Sequence, residues 1–102
     1  MNDIETCKKL LASGGYTCAL VRGKTVYTSD KTGIAPLVGF IDGGIDLRGF
    51  SVADKIVGKA AALLYAYMGV SFVYGEVTSA TAPEVLARHG IACGYGTLAD
   101  VI

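Results

Sequence analysis

Tryptophan is absent from this chain of 102 residues, proline occurs twice, histidine once and cysteine three times. Cys7, Cys18 and Cys93 are odd in number and widely separated, with no C-x-x-C pair. That pattern excludes both a disulfide framework and a thiolate zinc site. With His89 as the single histidine, a cysteine–histidine catalytic pair has no support in the pattern, and Cys18 and Cys93 read as small hydrophobes in strands.

Charge is also scarce. Charged side chains make up 18% of the chain, against about 25% in soluble domains, and nine basic residues balance nine acidic ones. No global field steers such a chain toward nucleic acid or an anionic membrane surface. Tyrosines and phenylalanines are scattered rather than interleaved with Lys and Arg, so a stacking platform for single strands is not expected either. The longest stretch without a charge, residues 60–75, is interrupted by Gly69 and is shorter than the roughly 18 to 20 residues of a spanning helix, so no membrane span is expected. Asp3 and Glu5 stand before any apolar run, unlike a secretory signal, and a reducing cytoplasm is the expected location.

What is present in excess is apolar: 52% of the residues are hydrophobic. A domain this small exposes much of its surface, so part of the excess is expected at a subunit interface, in a homo-oligomer. The length allows one domain, residues 1–102.

Ile4, Cys7, Lys8, Leu10 and Leu11 follow helical spacing and Ser13-Gly14-Gly15 stops it, so residues 3–13 read as an amphipathic helix. Residues 16–21 are apolar on both alternating faces, as in a strand covered on two sides. Gly23-Lys24 turns the chain into a more polar edge strand, residues 25–28. Residues 34–41 form a short helix with Pro36 in its first turn, ended by Gly43-Gly44. Ser51, with Asp54 three positions on, caps a long Ala-rich helix that runs to about Met68 and ends at Gly69. Residues 70–77 are a strand. Thr81-Ala-Pro-Glu84 repeats the capping pattern before a helix over 83–89, and strands follow at residues 91–95 and 98–102. The alternation of strands and helices implies a three-layer α/β/α sandwich with a mixed sheet, in which the two helix starts open side by side at one sheet end.

Residues 52–62, V-A-D-K-I-V-G-K-A-A-A, the strand to Val77, Thr78-Ser79 and residues 86–91 carry a resemblance. Together with the N-terminal hairpin they cover nearly the whole chain. The chain resembles the cytidine deaminase-like superfamily and, more specifically, a branch of small prokaryotic proteins grouped as a domain of unknown function. The resemblance implies a deaminase-like fold. Active deaminases of the superfamily carry His or Cys, one residue and Glu in the first helix, and P-C-x-x-C at the start of the second. These supply three zinc ligands and a proton shuttle for a metal-activated water. Here the first region offers Val57-Gly58-Lys59 or Val52-Ala53-Asp54, and the second, residues 79–84, has no cysteine. Zinc-dependent deamination is not expected, nor a metal or other cofactor.

The candidate site residues are Asp54, Lys55, Gly58, Lys59, Thr78 and Ser79. Asp54 either fixes a ligand amine or hydroxyl or caps its helix. Lys55 and Lys59, four apart, share a helix face that is either solvated or turned to a cleft. Gly58 costs about 1 kcal/mol inside a helix, which close packing or a ligand's approach would explain. Thr78 and Ser79 stand at a strand's carboxyl end before a helix start, as ligand residues or as turn and cap. The leading expectation is a metal-free, deaminase-like domain that binds a small polar or anionic, nucleoside-like ligand in the vestigial cleft. The alternatives are a non-zinc enzyme using Lys59 or Asp54 as acid or base, and a structural oligomerisation or interaction domain.

Overall fold

The computed structural model describes residues 2–100. Helix α1 spans Asp3–Ser13, strand β1 Cys18–Arg22, β2 Thr25–Ser29, α2 Ala35–Asp42, β3 Ser51–Val57, α3 Lys59–Met68, β4 Phe72–Ser79, α4 Ala82–Arg88 and β5 Ala92–Ala99. The five strands form one sheet in the order β2-β1-β3-β4-β5. β1 is antiparallel to both neighbours, whereas β3, β4 and β5 run parallel and are joined by α3 and α4. α3 and α4 pack together on one face, and α2 packs beside α3. α1 covers the other face.

Two cores follow from this layering. Leu20, Val52, Val57 and Val73 pack under Tyr65 of α3 and Leu86 of α4, while Cys7 and Leu11 of α1 press on Val21 and Ala53. Alternation along β1 sends Leu20 to one core and Val21 to the other, which is why Cys18 to Val21 are all buried. Gly75 of β4 marks a close approach: an added Cβ would lie 2.9 Å from Val57 Cγ2 and against the Thr78 hydroxyl. On the far edge, β5 is mostly exposed, Tyr95 and Leu98 included. Ile56 and Val77, neighbours across the β3–β4 ladder, are exposed as well.

Most elements lie where the sequence pattern places them, with one large exception. The expected helix from Ser51 to Met68 is a strand and a helix, divided at Gly58. β3 lies between β1 and β4 and is covered on both faces, so it lacks the polar–apolar alternation that marks a strand. The β-branched Val52, Ile56 and Val57 suit it to the sheet. Ser51 therefore caps nothing, Asp54 is a strand residue, and Lys55 and Lys59 do not share a helix face. Gly58 is the N-cap of α3, in an extended conformation (φ −93°, ψ −174°), so the cost of a glycine inside a helix does not apply.

The second capping pattern is also not formed. α4 begins with proline in its first turn as expected, but Thr81 makes no cap bond, and its hydroxyl pairs with that of Ser79 instead. The two short C-terminal strands are one continuous strand, β5. The part of that expectation falling on Val101 and Ile102 lies outside the described residues. At α3's end Gly69 does adopt the left-handed conformation expected of a C-cap (φ 72°). Among the described residues no helix is long and apolar enough to cross a membrane.

Candidate functional site

The first parallel strand, β3, ends beside the start of the antiparallel hairpin strand β1. The chain leaves β1 toward β2 on one side and β3 toward β4 on the other, so this is the point where strand order reverses. Crevices at such points, outside the carboxyl ends of parallel strands, are where open α/β sheets hold ligands.

A cleft of about 620 Å³ opens there. Its inner wall is made by Cys18 of β1, Asp54 of β3 and Ala61 of α3, all buried, and its rim includes Thr32, Lys55 and Lys59. Ile34 and Pro36 close the side formed by the start of α2, and Gly33 bends the rim loop with a left-handed φ of 64° that favours glycine. Thr17 ties the corner together. Its N–H donates to the Ser29 carbonyl at 2.7 Å, and its own carbonyl accepts from the Lys55 N–H at 3.0 Å. The volume suits a small molecule.

Asp54 is the chemically distinctive group. It is 6% exposed, and its Oδ2 accepts a 2.7 Å bond from the hydroxyl of Tyr65, which is itself fully buried. Its Oδ1 accepts a weaker 3.3 Å bond from the Ile56 N–H. No ion pair involves Asp54 among the described residues. Burial pushes its carboxyl up from the ordinary 3.8 to about 6, against the opposing pull of the Tyr65 hydrogen bond and backbone N–H groups. Tyr65 is driven well above the usual phenol range, first by burial and then by the Asp54 charge. Cys18, the ladder partner of Asp54, is pushed up to about 12 by burial and by the same charge, so it faces the cleft as a thiol rather than a nucleophilic thiolate.

The opposite character meets Asp54 across the cleft. α3 begins at Gly58 with no side-chain cap, so the first N–H groups of Lys59, Ala60 and Ala61 and the positive end of the helix dipole open toward the cleft. Lys55 and Lys59, both exposed, add two cations at the rim.

The structure thus brings Asp54, Lys55, Gly58 and Lys59 together, and it sets Thr78 and Ser79 apart. Those two end β4 and do not line the cleft. Thr78 is fully buried and donates to the Gly75 carbonyl; Ser79 pairs with Thr81. Sequence reasoning did not find Tyr65, Cys18, Thr17 or the 32–36 loop as parts of the site. The Tyr65 partnership is visible only once β3 and α3 are recognised as two elements packed face to face.

The sequence profile of the TM1506 domain of unknown function (DUF1893) matches residues 6–101. The chain belongs to the DUF1893 family. Among solved structures, it is similar to a DUF1893 family protein (TM1506) from Thermotoga maritima, 24% identical, with a TM-score of 0.89 over 99% of this chain and 69% of that one. A dCMP deaminase from the cyanophage S-TIM5 is 13% identical with a TM-score of 0.58, covering 91% of this chain and 93% of that one. A diaminohydroxyphosphoribosylaminopyrimidine deaminase/5-amino-6-(5-phosphoribosylamino)uracil reductase from Thermotoga maritima is 16% identical with a TM-score of 0.56, covering 92% of this chain and 35% of that one. No curated protein matches the chain by sequence. These likenesses establish a deaminase-like mixed five-stranded sheet for this DUF1893 chain.

The residues do not fit the zinc of such deaminases. Among the described residues no group of three His, Cys, Asp or Glu side chains is placed to hold a metal ion. From that set, Asp54 and the high-pKa thiol of Cys18 are the two that face the cleft among the described residues.

Proposed function

We propose that this DUF1893 protein binds a small polar or anionic, nucleoside-like molecule in the cleft at the end of β3. Lys59 and the uncapped start of α3 hold its anionic group, and the apolar walls hold its body. The observation that carries this reading is the convergence on one cleft of an open helix N-terminus, two lysines and a buried carboxylate at the strand-order reversal. The nucleoside-like element rests on fold likeness to enzymes whose names specify dCMP and a phosphoribosylaminopyrimidine.

The test is a thermal-shift screen of nucleosides, nucleotides, bases and small carboxylates on wild type and Lys59→Ala. A ligand at a hundred times its Kd stabilises by about 2.7 kcal/mol, a shift of several degrees in a domain of this size. A shift that Lys59→Ala abolishes or strongly reduces is expected. A flat screen, or equal shifts in both proteins, would reject the reading.

A second reading uses the same site for acid–base chemistry without a metal. One observation favours it: burial places the Asp54 carboxyl at about 6, close to the pH at which a general base works best. Lys59 lies exposed at the rim of the same cleft. If a molecule found in the screen is turned over, its rate is expected to fall about a hundredfold or more in Asp54→Asn and to follow an acid limb near pH 6 in wild type. Turnover unchanged in that variant would remove Asp54 from the chemistry.

A further inference from the structure

A carboxylate inside a protein is retained at a cost unless something pairs with it. Asp54 is 94% buried by its 6% exposure, yet among the described residues it has no cationic partner. Its two oxygens offer about four acceptor positions. Among the described residues two bonds reach them, from the Tyr65 hydroxyl at 2.7 Å and the Ile56 N–H at 3.3 Å. An asparagine would avoid the buried charge and still accept the Tyr65 bond, so folding alone gives no reason for the aspartate.

We infer that the molecule held in this cleft is bipolar, with a cationic or N–H-rich nitrogen group, an amine or amidine, seated on Asp54 and an acidic group turned to Lys59 and the start of α3. The inference rests on the cleft being a binding site as proposed above. Among the described residues, the groups around Asp54 leave it as the one negative centre there. From β1 comes the Cys18 thiol, from α3 the Tyr65 phenol and the Lys59 ammonium, and from β3 itself Lys55. The 32–36 side contributes Thr32, Ile34 and Pro36, none of them charged. A positive group reaching Asp54 replaces the water that burial removed, while the lysines at the mouth reject a simple cation and favour a molecule with an acid at its other end.

Three probes with the same flat body separate the two halves of this claim: 4-amidinobenzoate, benzoate and benzamidine, titrated calorimetrically into wild type and Asp54→Asn at pH 8 and pH 4.5. The amidinium of 4-amidinobenzoate and benzamidine stays charged at both values, and the carboxyl that begins to protonate at pH 4.5 is shared by 4-amidinobenzoate and benzoate, so the margin between those two reads the aspartate. 4-Amidinobenzoate is expected to bind wild type at pH 8 about tenfold or more tighter than benzoate, and to lose that margin at pH 4.5 and in Asp54→Asn. Benzoate bound as well as 4-amidinobenzoate, in a manner dependent on Lys59, would overturn the bipolar ligand and leave the cleft as an anion site. A margin that persists in Asp54→Asn would also overturn it. Binding of none of the three would count against both the inference and the reading beneath it.

Discussion

Asp54→Asn is expected to stabilise the protein at pH 8 by about 2 to 3 kcal/mol and to leave it within about 1 kcal/mol of wild type near pH 4. In the unfolded chain the aspartate titrates near its ordinary 3.8, whereas burial holds it at about 6 in the folded one. Between those values the folded protein keeps a proton that the unfolded chain has released. The stability contributed by the neutral form is therefore complete below the unfolded value and is lost as pH rises through the folded one. The amide is isosteric, can still accept the Tyr65 hydrogen bond, and never charges. Urea unfolding of both proteins across pH 4 to 8 checks this: the wild-type curve should fall where the variant's stays flat with respect to this group. A variant less stable than wild type at pH 8 would mean that the carboxylate is stabilised by its surroundings and that the account of its burial is wrong.

Tyr65→Phe is expected to act in the opposite direction. Loss of the hydroxyl leaves the Asp54 carboxylate with only the 3.3 Å Ile56 N–H bond, at a cost of about 2 to 3 kcal/mol at pH 8. Below pH 5, where the carboxyl is neutral, the cost should shrink to about 1 kcal/mol. Because the lost bond favours the charged form, the aspartate should titrate higher than in wild type. The same series of unfolding curves reads this, and a loss of stability independent of pH would show that Tyr65 serves packing alone. At pH 8 the two single effects nearly cancel, and the double variant, Asp54→Asn with Tyr65→Phe, should be more stable than that sum, because the two groups are in direct contact and the cost of losing the hydroxyl shrinks once residue 54 is uncharged.

The parts of the fold that could be read from sequence are those where one local cause decides. Helix α1 shows an amphipathic stripe and a glycine stop, the β1–β2 hairpin has glycine at its turn, and α2 and α4 carry proline in their first turns. β3 could not be read so directly. Ser51 followed by Asp54 imitates a helix cap, and the alanines at 60–62 extend the helical pattern backward over residues whose burial on both faces erases any strand alternation. Gly58 was the clue: a glycine in a supposed helix interior, next to Val57, marks the junction at which the strand ends.

The site was legible to the same extent. Asp54, Lys55, Gly58 and Lys59 come together because the strand–helix junction carries all four, although through a different geometry from a shared helix face. Tyr65 stayed hidden for a distance reason. In one continuous helix residues 54 and 65 would stand about 16 Å apart along the axis, too far to bond. Folding α3 back over β3 brings the hydroxyl to 2.7 Å from the carboxylate. Thr78 and Ser79 looked like site residues because they end a parallel strand, yet β4 lies one strand beyond the reversal point, and their hydroxyls are spent on Gly75 and Thr81.

The central claim is that the cleft is built around a buried aspartate that, among the described residues, has no cationic partner until a ligand supplies one. A carbon-13 NMR titration of the Asp54 carboxyl, alone and saturated with 4-amidinobenzoate, tests it most directly. A midpoint near 6 in the free protein, falling toward or below the ordinary 3.8 in the complex, is the predicted result. A free-protein midpoint already at the ordinary value, unmoved by the probe, would contradict it.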